Sequence, residues 1–336
     1  MRAAVVTSYG PPEVVELRDL PDPRPRPGEV MIRVHSSTVT AADWRIRSGT
    51  VPRGFGLPVR LALGWRGPRQ PVLGAEMAGE VLALGEGVTR FALGDRVFAM
   101  TGVRMGGHAE RAVLKASGPV ALIAPGVSFE TAAALPFGGT TAFHFLKDKG
   151  GIKPGDRVLI NGASGGVGTA AIQLARHFGA EVTAVTSAAN AQLATRLGAS
   201  RVIDYQAVDF AAEGFCYDLI LDTVGNCPYA RARPALADGG RLLLVATDLM
   251  GTLGAVIRSR RQAGHRIIAG VAAERREVLE LLMALAARGI LTPPIDRRYR
   301  LDEIRAAHAY VETRRKRGSV IVRVDSSEDR STTNEN

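Results

Sequence analysis

The chain has 336 residues, a net charge of +10, 46% hydrophobic residues and 23% charged ones. That length exceeds one ordinary domain and that composition supplies a sizeable core, which excludes disordered, collagen-like and disulfide-rich classes. Two cysteines, Cys216 and Cys227, exclude a disulfide framework and a four-thiolate zinc site, and no run of 18 apolar residues offers a membrane span.

The first residues, 1–6, lack the charged leader and long apolar stretch of a targeting signal and read as a strand, so a reducing, cytoplasmic setting is expected. Short apolar or alternating runs follow at 3–6, 14–17, 29–36, 78–84, 96–99 and 109–114. Turn signals at 9–12, 21–28, 85–87 and 94–95 part them, which predicts a β-rich, barrel-like unit. A short helix is read over 44–47. The stretch 53–71, rich in proline, glycine and arginine, is either a surface loop or a loop flanking a ligand pocket.

From residue 131 the pattern changes to strands alternating with helices. A helix is predicted over 131–149, closed by Gly150. A strand at 157–160, a helix at 167–178, a strand at 181–186 and a helix at 188–197 ended by Gly198 come next. Strands at 201–203, 219–222, 241–246 and 267–271 precede an amphipathic helix at 274–287, stopped by Gly289. This order predicts right-handed βαβ units and a parallel sheet. After Pro293 the chain reads strand, helix (301–313) and strand (319–324), and the polar tail is expected to be disordered.

The strongest chemical signal is Arg157-Val-Leu-Ile-Asn-Gly-Ala-Ser-Gly-Gly-Val-Gly168, a strand running into a glycine-rich turn and a helix. Ala163-x-Gly165-x-x-Gly168 is a dinucleotide fingerprint with alanine in the first glycine position, preceded by Gly162. Small residues early allow the tight turn, Gly165 lets backbone approach a pyrophosphate, and Gly168 lets the helix pack close on the strand. The helix N-terminus then offers free N–H groups to phosphate. Ala163, Ser164, Gly165, Gly166, Val167 and Gly168 are the candidate cradle. The next strand ends Thr186-Ser187 without the carboxylate that would bind both ribose hydroxyls of NAD. Two hydroxyls there favour a 2′-phosphate and therefore NADPH, although no Lys or Arg follows within the next few residues.

With these motifs in hand the sequence resembles the medium-chain dehydrogenase/reductases, and within them the zinc-free quinone oxidoreductase, zeta-crystallin-like, group. The resemblance runs from Met1 to about Val324. It rests on Val39-Thr-Ala-Ala-Asp-Trp-Arg-Ile-Arg-Ser-Gly49, Pro71-Val-Leu-Gly-Ala-Glu-Met-Ala-Gly-Glu-Val81, Gly94-Asp-Arg-Val-Phe98, Gly106-Gly-His-Ala-Glu110, residues 135–142 and Leu197-Gly-Ala-Ser-Arg-Val-Ile-Asp-Tyr205, besides the glycine turn. It implies an α/β fold: a GroES-like β-rich catalytic domain (1–123), a Rossmann doubly wound parallel-sheet domain binding NADP (124–272), a helix and return to the catalytic domain (273–325), and a tail (326–336). It also implies a homodimer joined through the edge of the nucleotide-domain sheet, for which 241–271 is the candidate.

The resemblance further implies roles for single residues. Tyr205 matches the tyrosine beside the adenosine 2′-phosphate, or else caps a strand. Ser187 matches a phosphate-contacting polar residue, while the lysine usual shortly after it is replaced, at Ala189. Thr141 matches the threonine beside the nicotinamide, or else serves as a helix N-terminal hydroxyl. The asparagine usual near the acceptor is Thr40 here, and a tyrosine expected soon after Gly49 is absent, with Thr50 and Val51 in its place. Asp43 is retained. Thr40 and Asp43 are the catalytic candidates, with helix capping the alternative for Asp43.

The zinc enzymes of the superfamily place ligands where this chain has Thr40, Ala75 and Phe137, none of which replaces the lost donor, and Glu76 alone is insufficient. The six histidines are scattered without ligand spacing. No metal is therefore expected. Without a Lewis acid the chemistry points to hydride delivery from NADPH to a hydrophobic quinone or α,β-unsaturated carbonyl, an acceptor already electrophilic. The alternative is a non-catalytic NADPH-binding or interaction protein on the same fold. The basic balance draws on Arg258-Ser-Arg-Arg261 and Arg314-Arg-Lys-Arg317, read as surface or helix-end charge. No nucleic-acid motif accompanies them, so neither nucleic acid nor membrane is an expected partner.

Overall fold

The computed structural model describes residues 1–50, 60–61, 63–246 and 264–324. Val51, residues 53–59 of the 53–71 stretch, residues 247–263 of the candidate dimer edge with the Arg258–Arg261 run, and the tail 326–336 lie outside the described residues. A hairpin of β1 (Arg2–Val6) and β2 (Val15–Asp19) opens the chain. Next come β3 (Glu29–Thr38), helix α1 (Ala41–Ser48), β4 (Glu76–Leu84), β5 (Arg96–Met100), β6 (Arg111–Lys115) and β7 (Val120–Leu122). The last two strands, β14 (Ile295–Arg300) and β15 (Ser319–Arg323), return to this unit. Together they form a seven-stranded mixed sheet of order β14-β15-β3-β4-β5-β7, with β6 paired to β3. This is the β-rich lobe.

Helices α2 (Phe129–Ala133) and α3 (Pro136–Phe143) lead into the second lobe, and α3 runs on as a wider π turn, His144–Lys149. The helix expected over 131–149 breaks before Pro136 because proline has no N–H to continue the ladder and starts a helix well. Then follow β8 (Arg157–Asn161), α4 (Gly166–His177), β9 (Glu181–Thr186), α5 (Ala191–Leu197), β10 (Arg201–Asp204), β11 (Tyr217–Asp222), α6 (Tyr229–Ala232), β12 (Leu236–Leu244) and β13 (Arg266–Ala269). All pair in parallel in the order β10-β9-β8-β11-β12-β13. In order of appearance this is 3-2-1-4-5-6, the doubly wound arrangement, with its switch point between β8 and β11. Helices α7 (Arg276–Ala287) and α8 (Ile304–Glu312) complete the chain. No helix among the described residues is long and apolar enough to cross a membrane.

Strands β8 and β11 are apolar without alternation because both faces are covered. The lobes are not insulated from each other. Phe98, Met100, Ala121 and Ile123 of the β-rich lobe pack into the same apolar cluster as Leu135, Phe145, Val158 and Leu282. This continuous core joins the two lobes.

One further clamp holds α1. The Arg47 side chain is wholly buried and donates to the Gly10 carbonyl and to Glu312 Oε2, each at 2.8 Å. A planar guanidinium spans both acceptors, whereas a lysine ammonium reaches one. Arg47→Lys is expected to lower stability by about 2 kcal/mol. An unchanged denaturation midpoint would show that the clamp is dispensable.

Candidate active site

The glycine turn follows β8 directly. Gly162, with φ +82°, makes the left-handed step, and a Cβ there would lie 2.4 Å from Thr223 Oγ1. Sharp reversal therefore falls at Gly162, which frees Ala163 to be an ordinary buried residue. A Cβ on Gly168 would lie 2.2 Å from the Gly162 carbonyl oxygen, so α4 packs on the turn only because the side chain is absent. Gly165 differs: the nearest protein atom to its would-be Cβ is 3.6 Å away, so no protein atom crowds its open side. It is the N-cap of α4 and makes no side-chain cap, and the first intrahelical bond runs from Thr169 N to Gly165 O. The N–H groups of Gly166, Val167 and Gly168 precede that bond and project from the helix end, as in any α-helix. Ser164 accepts from Gly318 N through its carbonyl, at 2.8 Å.

One cation joins this turn. Of the 314–317 run read as surface charge, Arg314, Arg315 and Arg317 are exposed, but Lys316 turns inward. Its Nζ donates to Gly318 O at 2.5 Å and lies 3.3 Å from where a Gly166 Cβ would sit. The segment is held there by backbone pairing of Gly165 with Gly318. Uncapped N–H groups beside an ammonium suit a pyrophosphate.

Across the switch point, Asp222 at the end of β11 is fully buried. It accepts from Asn161 Nδ2 at 2.9 Å and from the N–H groups of Val224, Gly225 and Cys227 at 3.0–3.1 Å. These bonds fix the loop that faces Gly162. Burial, with Asp222 adding to it, pushes the Cys227 thiol up to about 12, so it is inert at neutral pH. On the other side, pairing of Thr186 with Asp204 brings the next residues, Ser187 and Tyr205, to one edge of the sheet. Tyr205 is exposed, and Ser187 Oγ accepts from Asn190 Nδ2 at 3.2 Å.

The catalytic candidates Thr40 and Asp43 stand at the start of α1. Thr40 is its N-cap: Oγ1 accepts from Ala42 N and Asp43 N and donates to Asp43 Oδ2 at 2.6 Å. Asp43 Oδ2 also accepts from Thr40 N, closing a capping box over a longer helix than 44–47. Asp43 Oδ1 accepts from Gly74 N and Ala75 N, at 3.0 and 3.2 Å. With no exposed surface and four donors on its two oxygens, Asp43 holds the frame of the site. Thr40 is buried too, and its proton is engaged by Asp43. Glu76, beside Ala75, accepts from Thr38 Oγ1 and, at 2.6 Å, from Phe137 N in the first turn of α3. Thr141 follows Phe137 by one turn on the same helix.

Compared with known proteins, residues 26–125 match the alcohol dehydrogenase GroES-like domain, and residues 197–322 match a family described as zinc-binding dehydrogenase. The quinone oxidoreductase of Pseudomonas aeruginosa is 32% identical over 94% of this chain and 97% of its own, and that of Homo sapiens is 30% identical over 92% and 93%. The quinone oxidoreductase structure from Coxiella burnetii superposes with a TM-score of 0.86 at 30% identity, covering 97% of this chain and 99% of that one. The chain belongs to the quinone oxidoreductase family of the medium-chain dehydrogenase/reductases.

As a member of that family it is an oxidoreductase with a GroES-like lobe and a Rossmann-like lobe, and the family binds a nicotinamide cofactor. One matched family is described as zinc-binding, so the donor set of this chain matters. The positions where the superfamily's zinc enzymes place ligands are linked here through two carboxylates: Thr40 and Ala75 N both bond Asp43, and Phe137 N bonds Glu76. What they present is a threonine hydroxyl already bonded, a methyl group and a phenyl ring, which do not fit zinc. Among the described residues no three His, Cys, Asp or Glu side chains gather to hold a metal. His108 and His308 form a buried edge-to-face pair 5.6 Å apart, and burial, with His108 and Arg47 nearby, holds His308 well below the ordinary imidazole range, hence neutral. The glycine turn, by contrast, fits a dinucleotide.

Proposed function

We propose that this chain is an NADPH-dependent, zinc-free reductase that delivers hydride to a quinone or an α,β-unsaturated carbonyl. The observation that carries the reading is the α4 turn: an uncapped helix end, an open Gly165 and the inward Lys316, with Ser187 and Tyr205 at the far edge and no carboxylate closing β9. In this reading residues 163–168 hold the pyrophosphate, Ser187 and Tyr205 the 2′-phosphate, and Thr141 borders the nicotinamide. Bound NADPH would supply the hydride. The protein's share is to fix the acceptor in a dry cleft against α3. Thr40 has neither proton nor lone pair to offer, since Asp43 engages its hydroxyl and its oxygen caps Ala42 N and Asp43 N, so the reduced acceptor takes its proton from solvent. With no metal donors at residues 40, 75 and 137, the acceptor must be electrophilic on its own account.

The same reading includes the domain limits 1–123, 124–272 and 273–325, a cytoplasmic location suited to the free thiols of Cys216 and Cys227, and a homodimer formed through the edge of β13. The test is consumption of NADPH, followed at 340 nm, with a panel of quinones and enones. Turnover with NADPH and a tighter dissociation constant for NADPH than for NADH are expected. A preference for NADH would refute the role of Ser187. Tight binding without turnover across the panel would favour a non-catalytic NADPH-binding protein, and a stoichiometric metal by elemental analysis would sink the zinc-free reading.

A further inference from the structure

Glu76 lies where the two lobes meet and is 2% exposed. Its partners come from both sides: Thr38 of β3 and the Phe137 N–H that opens α3. A carboxylate at a helix N-terminus satisfies an orphan donor and complements the dipole, so this side chain ties β4 to the helix carrying Thr141. The residue paired with it on β5 is Met100, and α3 itself contains no charged residue. The charged groups facing Glu76 are Asp43 from α1 and Lys316 from the segment entering β15. Lys316 in turn faces Asp296 of β14, and its Nζ stands at the N-terminus of α4. Gly138, next to Phe137, packs on Gly166, a Cβ there lying 2.5 Å from the Gly166 carbonyl oxygen, so the helix end held by Glu76 and the Lys316 ammonium meet at the turn assigned to the pyrophosphate.

We propose that Glu76 couples cofactor occupancy to protonation: an anion arriving at the α4 turn draws on the charge of Lys316, and Glu76 takes up a proton while continuing to hold α3. The inference rests on reading that turn as the dinucleotide site. Burial drives the Glu76 carboxyl up to about 7, with Asp43 adding to the rise and the bonds from Thr38 and Phe137 and the charge of Lys316 opposing it. At neutral pH the group is divided between its two forms, so a modest change in local field moves it. Two negative charges near Lys316 favour the protonated form, so binding takes protons up. The neutral acid fits the same cavity. Its carbonyl oxygen still accepts from Phe137 N, and the Thr38 hydroxyl turns to accept from the acid. Burial also lowers Lys316 from its ordinary range. An anion restores it, which adds uptake of the same sign, so the two contributions must be separated by substitution.

The experiment is calorimetric titration of the intact chain with NADPH, and separately with NADH, at pH 7 in two buffers of different ionisation enthalpy. NADH has no 2′-phosphate to titrate, so it isolates the protein's contribution. Uptake of roughly a third to a half of a proton per site is expected, the ceiling for a half-titrated group. Glu76→Gln keeps both hydrogen bonds and should bind NADH with an affinity within a few-fold of the parent but without most of the uptake. Lys316→Met should weaken binding by about tenfold. Buffer-independent binding heat in the parent chain, or the same uptake in Glu76→Gln, overturns the coupling while leaving the cofactor site standing. Absence of binding by either dinucleotide overturns the site and the coupling together.

Discussion

Replacing Asp43 with alanine is expected to lower the thermal midpoint by roughly 10 °C, corresponding to a loss on the order of 4 kcal/mol. The substitution strips partners from four donors at once: Thr40 N, Thr40 Oγ1, Gly74 N and Ala75 N. Buried donors left without acceptors cost about 1–3 kcal/mol each, and partial relaxation or water entry recovers some of the total. Asp43→Asn should behave differently. Its carbonyl oxygen retains the bonds to Gly74 and Ala75, while its amide group meets Thr40 N, another donor, so about half the loss is expected. Calorimetry or circular dichroism during heating checks both values. If Asp43 instead takes part in the chemistry, Asp43→Asn will abolish turnover with an unchanged midpoint, and the framing role falls.

The second large effect is expected at Gly168. A methyl group there meets the Gly162 carbonyl 2.2 Å away and Ala163 Cα 2.7 Å away, both backbone. Neither can swing aside, so α4 must lift from the turn. Gly168→Ala should cost about 2–4 kcal/mol of stability and weaken dinucleotide binding by about a hundredfold or more, through a misplaced helix end. Gly165→Ala separates the two consequences. Its Cβ clears every protein atom by 3.6 Å, so stability should hold, while the methyl occupies the approach of the ligand and binding should still fail. Normal dinucleotide affinity in Gly165→Ala would show that the anion does not approach the turn from that side.

The two sites differ in how much of them a linear reading can show. The glycine turn is local: strand, reversal and helix lie within a dozen residues, and the chemistry of each glycine follows from the neighbours in the chain. Even there, the left-handed step at Gly162 rather than at the fingerprint's first position depends on Thr223 and Val224, about 60 residues away. A capping role for Asp43 is legible as the start of a helix over 44–47, whereas the structure puts the N-cap at Thr40 and Asp43 three residues on, closing the box. The second pair of donors to Asp43, 31 and 32 residues on, is not legible. In the chain alone Glu76 reads only as an insufficient zinc ligand and Lys316 as one charge in a run of arginines, because what matters for each is a neighbour supplied by another part of the fold. Asp222, closing an apolar strand before Thr-Val-Gly, carried a signal that could have been followed: a carboxylate at a parallel strand's C-terminal end, where such sheets bind ligands. Among the elements, β7 is three residues long and gives no periodicity to detect. The early part of β12 is masked by Gly239 and Gly240, where the pairing with β11 shifts register.

The cluster in which Phe98, Met100 and Ile123 pack with Leu135, Phe145 and Leu282 bears on how such a molecule can be re-engineered. A nucleotide lobe cut out as a cassette and transplanted into a relative would leave that seam facing foreign side chains or water. Exchanges made at a chain boundary between the lobes should therefore give poorly soluble chimaeras, and exchanges that carry the seam residues of the β-rich lobe along should give soluble ones. The unit of inheritance in this architecture is then the interface together with the lobe it closes, not the lobe alone.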